Sequence, residues 1–145
     1  MSERSLRIVV DTNVVASSLR SRRGASFRLI YGLDKAAYVP CVSTATFLEY
    51  EEVLLRTVGE HGFTPEEVRG FLDYMASVSA HVPIHFRWRP FLADPGDECF
   101  LELAVAAGAE VLVTYNKRDF RGVPEQFGVA VLDPREFLER TGELG

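Results

Sequence analysis

Carboxylate side chains follow apolar segments at four points along the chain. Asp11 directly follows the first apolar segment, and Glu49 comes soon after the second. Asp97 lies at the start of an apolar helical stretch, and Asp119 follows a further apolar segment. Four carboxylates in one place would repel one another, and proteins usually tolerate such a cluster because a cation is bound between the carboxylates. Because all-oxygen ligands select Mg²⁺ or Mn²⁺, these residues predict a divalent metal site if the fold brings them together.

The helical stretch near Asp97 indicates where its carboxylate points. At about 100° per residue, Asp97 shares a helix face with the apolar residues Phe100 and Leu101, so it is directed inward. Asp94, which precedes Pro95, has the position of a helix cap. We therefore predict a site role for Asp97 and a capping role for Asp94.

Three glutamates follow the second apolar segment, and one of them is predicted to reach the site. Glu49 comes first and lies nearest the end of the preceding strand. Glu51 lies further along the helix, and Glu52 can form an i,i+4 ion pair with Arg56 on a solvated face. The predicted site glutamate is therefore Glu49.

Short predicted strands alternate with helices. Apolar and β-branched runs predict strands at 6–10, 38–42, 81–86, 111–114 and 129–132. Helical spacing and capping patterns predict helices at about 14–19, 26–33, 43–58, 64–79, 94–107 and 133–141. This alternation predicts an α/β fold whose parallel sheet is covered on both faces. The carboxyl ends of its strands, where the acids lie, are the expected place for a site.

Composition and charge restrict the class of protein. The chain has 145 residues, of which 47% are hydrophobic and 26% charged, as in one globular domain spanning residues 1–145. The net charge of −5 argues against a continuous basic surface for duplex DNA. Cys41 and Cys99 lie far apart, which argues against a cysteine zinc site and fits a reducing cytosol. With no signal peptide or membrane-length apolar run, we expect a cytoplasmic protein without a membrane partner.

Basic residues beside the acids are candidates for holding a phosphate. Because the arginine fork binds phosphate in a bidentate manner, we predict substrate contacts from residues near the first and fourth acids. The alternative is that they are ordinary solvated side chains. Tyr115 could stack on a base or pack on a helix, and Phe86-Arg87-Trp88-Arg89 could bind a single strand or form an edge. The predicted substrate-binding residues are Arg20, Arg22, Arg23, Lys117 and Arg118.

The four acids lie in four motifs that occur in a fixed order along the chain. The motifs are Val10-Asp11-Thr12-Asn13-Val14, Ser43-x5-Glu49-Tyr50-x2-Val53-Leu54, Asp94-Pro95-x-Asp97-x2-Phe100-Leu101-x-Leu103-Ala104 and Val113-Thr114-x-Asn116-x2-Asp119-Phe120. Together they resemble the PIN domain family, and specifically its VapC-like branch, the toxins of bacterial and archaeal toxin–antitoxin systems. The resemblance covers nearly the whole chain, from Arg7 to about Leu132.

The resemblance implies a three-layer α/β/α sandwich with a parallel central sheet. It also implies a Mg²⁺- or Mn²⁺-dependent ribonuclease that hydrolyses single-stranded RNA, with an antitoxin protein as partner and a homodimer as assembly. Members of the family vary between an acid at the position of Asn116 and one at that of Asp119, so either residue could complete the site. The implied catalytic and metal-binding acids are Asp11, Glu49, Asp97 and Asp119, with Thr12, Asn13, Thr114 and Asn116 as polar supports.

Other classes fit the sequence less well. A dinucleotide-binding oxidoreductase needs a glycine-rich turn where this chain has Asp11-Thr12-Asn13. A phosphoaspartate enzyme or receiver domain needs a lysine at the same edge of the sheet, and Lys117 is the one candidate. No histidine is placed for acid–base catalysis, so we expect structural roles for His61, His81 and His85. The remaining alternative is a non-catalytic module of this fold that binds RNA or a protein.

Overall fold

Five parallel strands form the central sheet of the computed structural model, which describes residues 6–32, 38–85 and 90–142. The strand order is β3-β2-β1-β4-β5, and every pairing in it is parallel. The chain therefore adds strands on one side of β1 first and on the other side afterwards. The order reverses between β1 and β4, which is where an open α/β sheet forms its crevice. The strands are β1 (Leu6–Val10), β2 (Tyr38–Val42), β3 (Ala80–His81), β4 (Val111–Val113) and β5 (Ala130–Leu132).

Helices cover both faces of the sheet, so the predicted three-layer α/β/α architecture is confirmed. Capping residues begin the helices where the sequence predicts them. Ser43, Thr64 and Asp133 each form a capping box, and Gly108 ends the helix after Asp94 in the left-handed conformation. The helices are α1 (Thr12–Arg20), α2 (Ala25–Tyr31), α3 (Thr44–Arg56), α4 (Val58–His61), α5 (Pro65–Val78), α6 (Pro95–Ala107), α7 (Val123–Phe127) and α8 (Pro134–Thr141), with a 3₁₀ turn at Lys117–Phe120.

The third strand is much shorter than the sequence predicts. A strand at 81–86 was expected, but β3 consists of Ala80–His81 alone. The amide of Val82 still donates to the carbonyl of Val42 at 2.8 Å. Pro83 follows and has no N–H to continue the ladder, which explains why the strand ends there. Residues 86–89, including the aromatic and basic segment singled out above, lie outside the described residues.

The core of the domain lies around the two central strands. Ile8, Val9 and Val10 of β1 are almost fully buried, and so is the whole of β4. The apolar runs that predicted these strands are therefore continuous because helices cover both of their faces. Among the described residues, no helix is long and apolar enough to cross a membrane. Asp11 directly follows β1 and Thr114 directly follows β4, and these two residues begin the site.

Candidate functional site

Asp11 is held at the reversal point of the sheet by three hydrogen bonds. Its amide donates to the carbonyl of Val113 at 2.8 Å, which continues the β1–β4 pairing. Its carboxylate accepts from the amide of Thr12 at 2.8 Å and from the hydroxyl of Thr114 at 2.8 Å. The residue is only 6% exposed. The carboxylate is therefore fixed in orientation before any ligand arrives.

Thr114 and Asn13 connect the start of α1 to the loop after β4. Thr114 is fully buried, and its hydroxyl oxygen accepts from the side chain of Asn13 at 3.4 Å and from the amide of Asn116 at 3.0 Å. The side-chain oxygen of Asn13 accepts from the amide of Tyr115 at 3.3 Å. These bonds place the two polar residues where supports for Asp11 were predicted. They also hold the loop that leads to Asp119.

Asp97 enters the same region from the first turn of α6. Asp94 caps that helix, as predicted, by accepting from the amide of Gly96 at 2.8 Å. Asp97 is then left free of the capping role, and its Oδ2 is buried without a hydrogen-bond partner in the described part of the chain. A buried carboxylate oxygen without a donor is costly and points to a missing ligand.

Electrostatic repulsion shows that the carboxylates are close enough to interact. Burial and then repulsion from Asp11, Asp94, Asp119 and Glu49 raise the pKa of Asp97 to about 7. The pKa of Asp11 is also raised, first by burial and to a lesser degree by Asp119 and Glu49, although its bonds from Thr114 and Thr12 act in the opposite direction. Both shifts favour the neutral acid, and a cation would reverse them.

Glu49 and Asp119 are positioned by buried aromatic neighbours. Tyr50 is buried, and its hydroxyl donates to the carbonyl of Val10, so it ties α3 to the end of β1 beside Asp11. Glu49 precedes it and is half-buried. Phe120 is buried and anchors the 3₁₀ turn that carries the exposed Asp119. Each acid therefore lies beside an aromatic residue that its apolar surroundings hold in place.

The four acids line one cleft of about 380 Å³, which we call the acid cleft. It opens at the carboxyl ends of the central strands, as the topology requires. The structure thus brings together the four acids from four separate elements of the chain, while their chemical roles remain predictions. The polar and charged residues lining the cleft are Asp11, Thr12, Asn13, Arg20, Glu49, Thr57, Asp94, Asp97, Asn116 and Asp119.

The predicted substrate-binding residues are distributed over different surfaces. Arg20 lines the acid cleft and forms an ion pair with Glu60 at 3.6 Å. Arg22 lines a small pocket that also contains Phe27 and Phe63, and Arg23 is exposed outside the lining of the acid cleft. The Lys117 ammonium donates to Glu136 of α8 at 2.8 Å. Arg118 lines a second cleft beside the acid cleft.

Several neighbouring polar residues have structural partners. Glu52 pairs with Arg56 at 3.3 Å, as predicted from their spacing. The ring nitrogens of His61 contact the carbonyl of Leu54 at 2.9 Å and the amide of Phe63 at 3.1 Å. Of the two roles considered for Tyr115, base stacking and packing on a helix, the second is supported, because its hydroxyl forms a hydrogen bond with Ser26 of α2.

The donor set of the acid cleft fits a hydrated divalent ion. Among the described residues, no three His, Cys, Asp or Glu side chains converge as a ready-made metal cage. Mg²⁺, however, typically takes only one or two carboxylates and keeps several waters, and a cleft of about 380 Å³ has room for them. The unpartnered Oδ2 of Asp97 supplies an oxygen that lacks a ligand. The cleft therefore suits an ion bound largely through water.

Two surfaces were missed by sequence reasoning. The second cleft, of about 430 Å³, includes the exposed ring of Phe91, which no motif or periodicity indicated. An apolar groove contains Tyr31, Phe71 and Tyr74, and the rings of Phe27 and Tyr31 stack with centroids 4.3 Å apart. Aromatic residues in helices usually signal core, so nothing in the sequence indicated that Tyr31 would be 44% exposed.

Comparison with known proteins gives a consistent result. A family model described as the PIN domain matches residues 7–118, a range that ends one residue before Asp119. No curated protein sequence matches the chain. Among solved structures, the chain is similar to VapBC2 from Rickettsia felis, which is bound to a DNA fragment from the VapBC2 promoter. The TM-score is 0.60 at 14% identity, and the match covers 88% of this chain and 98% of that chain. VapBC-1 from nontypeable Haemophilus influenzae is similar with a TM-score of 0.55 at 14% identity, covering 90% and 99%.

Proposed function

Because the chain belongs to the PIN domain family, we propose that it is a metal-dependent endoribonuclease that hydrolyses phosphodiester bonds of single-stranded RNA. One observation carries the proposal. Carboxylates from four separate elements line the acid cleft, and one of them, Asp97, has a buried oxygen without a hydrogen-bond partner among the described residues. A protein that bound RNA passively would gain nothing from placing four like charges where a phosphate must approach.

Asp11 and Asp97 are the residues proposed to hold Mg²⁺ or Mn²⁺, directly or through water, with Glu49 and Asp119 completing the site. When bound, such an ion supplies charge neutralisation at the phosphate and lowers the pKa of a coordinated water. The fixed orientation of Asp11 suits this role because two hydrogen bonds already hold its carboxylate. The raised pKa of Asp97, about 7, means that cation binding near neutral pH would be accompanied by proton release.

The remaining step is proton transfer during attack on phosphorus. We assign the proton acceptor to Glu49, which is half-buried in the acid cleft and whose position is set by Tyr50 next to it. The water oxygen forms a bond to phosphorus as the bond to the 3′ oxygen breaks. The 3′ oxygen leaves as an alkoxide and takes a proton from solvent to become a hydroxyl, and Glu49 returns its own proton to solvent. The products are a 5′-phosphate and a 3′-hydroxyl. No histidine of the described ranges lines the acid cleft, and His61 has structural contacts elsewhere, which agrees with a carboxylate in this role.

We also propose that the chain is the toxin of a toxin–antitoxin pair and acts in the cytoplasm as a homodimer. The likeness to VapBC structures supports a protein partner. The apolar groove around Tyr31, Phe71 and Tyr74 also supports a protein partner, since apolar surface of this kind is typical of protein contacts. An antitoxin gene is expected as a small open reading frame beside the gene for this chain.

The glutamate assignment can be tested with a matched pair of variants. Glu49→Gln is expected to lower the rate of RNA cleavage by about 100-fold, as for loss of a general base. Glu52→Gln, one turn away on the same helix, is expected to retain wild-type cleavage because Glu52 forms an exposed ion pair with Arg56 and does not line the acid cleft. The measurement is the initial rate on a labelled RNA in Mn²⁺. Loss of activity in Glu52→Gln alone would contradict the assignment.

A further inference from the structure

A second cleft, here called the arginine cleft, adjoins the acid cleft. It is lined by Phe91, Arg118 and Arg121 and shares Asp94 and Asp119 with the acid cleft. The two clefts are therefore adjacent. The arginine cleft has a volume of about 430 Å³, within the range of roughly 300–1,000 Å³ that is usual for small-ligand sites.

Two arginines of the 3₁₀ segment line the arginine cleft. Arg118 lies within the 3₁₀ turn and Arg121 directly follows it. Phe120 is buried and Lys117 is bound to Glu136. In the described part of the chain, no ion pair is found for Arg118 or Arg121. Their guanidinium groups are therefore available to a ligand anion.

Asp94 and Asp119 line both clefts, but each has a role other than pairing with the two arginines. The side chain of Asp94 accepts from the amide of Gly96 and serves as the cap of α6. Asp119 belongs to the acid cleft, where a cation is proposed. The arginine cleft thus adjoins the proposed cation site and carries two guanidinium groups that form no ion pair within the described ranges. That arrangement suits a phosphodiester chain running from one cleft to the other.

Phe91 offers a flat apolar surface in the same cleft. Its amide donates to Glu98 at 2.7 Å, and its ring meets Phe127 edge-on with centroids 5.1 Å apart. A Cβ at Gly122 would lie 3.2 Å from the tip of the ring, so the glycine allows Phe91 to pack against the turn. The ring packs on one side, and the residue is still 42% exposed. A fixed, exposed ring of this kind is a platform on which any base can stack.

We propose that the arginine cleft binds the nucleotide adjacent to the scissile phosphate, with its base stacked on Phe91 and a backbone phosphate bound by Arg118 and Arg121. The proposal rests on the proposed ribonuclease function, since it takes the acid cleft as the place of cleavage. It explains why a net acidic protein can bind a polyanion: the cationic contacts are local. It also predicts tolerance of base identity, because stacking does not read hydrogen-bonding edges.

Binding of a fluorescent single-stranded RNA of about 12 nucleotides tests the cleft, since such sites span about 4–16 nucleotides. Anisotropy is measured in the Asp11→Asn background, where the probe is expected to stay intact. Arg118→Gln with Arg121→Gln is compared with Arg69→Gln with Arg140→Gln, which removes two exposed arginines elsewhere, on α5 and α8. Phe91→Leu is compared with Phe71→Leu in the apolar groove. Circular dichroism checks the fold of each variant, and cleavage by the wild-type protein is measured alongside.

The two kinds of interaction should separate by salt dependence. Removal of the Arg118 and Arg121 guanidinium groups is expected to weaken binding and to lower the slope of log K against log salt by about 0.7 for each phosphate that the variant no longer neutralises. Phe91→Leu is expected to weaken binding about tenfold without changing that slope. The two control variants should bind as the background does.

The outcomes distinguish this proposal from the ribonuclease assignment. If both arginine-cleft variants bind RNA as the background does, or if the Arg69 and Arg140 control lowers the slope equally, the proposal is wrong even when the wild-type protein cuts RNA. If these variants weaken binding as expected but the wild-type protein cuts nothing, the cleft stands as an RNA-binding site and the ribonuclease assignment fails. Absence of any RNA binding overturns the proposal.

Discussion

Asp11→Asn is expected to reduce cleavage of single-stranded RNA by at least about 100-fold, the usual loss when one preorganised electrostatic group is removed from a reaction centre. The amide has nearly the shape of the carboxylate but lacks its charge. Asp11 lies where the sheet order reverses, and it is the most buried of the four proposed acids, so no neighbouring residue can take its place. The measurement is the initial rate on a labelled RNA at saturating Mn²⁺.

Asp94→Asn provides the matched control for Asp11→Asn. Both changes remove one charge from the lining of the acid cleft. Asn caps a helix about as well as Asp, so α6 should still begin at Pro95 and the variant should keep most of its activity. Equal cleavage by wild-type protein and Asp11→Asn would contradict the assignment of Asp11 to the reaction.

Asp97→Asn is expected to stabilise the metal-free protein, by on the order of 1 kcal/mol at pH 8. Two like charges about 6 Å apart repel by roughly 3 kcal/mol at an effective dielectric of 20, and the partial exposure of Asp97 reduces that value. Asn removes this repulsion and can donate a hydrogen bond at the buried position where Oδ2 has none in the described structure. If Asp97 were only a residue of the helix start, Asn would be neutral or destabilising.

The pH dependence of this effect has a definite sign. The pKa of Asp97 is about 7 in the folded protein, against 3.8 for an unperturbed aspartate, so the folded state binds the proton more tightly than the unfolded state. The ionised Asp97 therefore destabilises the folded protein fully above pH 7. This destabilisation declines as the pH falls from 7 toward 4 and is absent below both pKa values. The stability advantage of Asp97→Asn should therefore be largest at pH 8 and smaller at pH 5. Thermal melts in EDTA measure it, with Asp73→Asn on the exposed face of α5 as control.

Metal should reverse the order of stability. An ion that binds only the folded protein stabilises it by about 1.4 kcal/mol at ten times its dissociation constant. Wild-type protein should gain this stabilisation in millimolar Mn²⁺, and Asp97→Asn should lose most of it. A metal-free variant that is less stable than wild type, with an unchanged response to Mn²⁺, would contradict a cluster of interacting acids.

Local signals explain why much of the fold could be predicted from the sequence. The strands at Leu6–Val10 and Tyr38–Val42 match the predicted ranges, because a run of apolar residues between turn signals is a property of adjacent positions. The capping residues Asp94 and Asp133 likewise mark the helix starts through contacts within three residues. The inward direction of Asp97 follows from the same short-range geometry.

Long-range contacts account for what could not be predicted. The length of β3 depends on a ladder with β2, which Pro83 interrupts, and the apolar character of residues 82–84 concealed this. Lys117 and Arg118 are neighbours in the sequence, yet one pairs with Glu136 on α8 and the other lines the arginine cleft. Both residues lie on a 3₁₀ turn, which is too short to produce a periodic signal in the sequence. The same holds for Phe91, whose exposure depends on Gly122 and Phe127.

The most direct test of the central claim is the metal dependence of RNA cleavage, combined with analysis of the product ends. A mixed pool of single-stranded RNA is incubated with the purified protein in Mg²⁺ or Mn²⁺, in EDTA, and in EDTA followed by excess metal. A metal site built from the four carboxylates predicts cleavage that is lost in EDTA and restored by excess metal, with 5′-phosphate and 3′-hydroxyl ends. Cleavage that persists in EDTA, or that leaves cyclic phosphate ends, would contradict it.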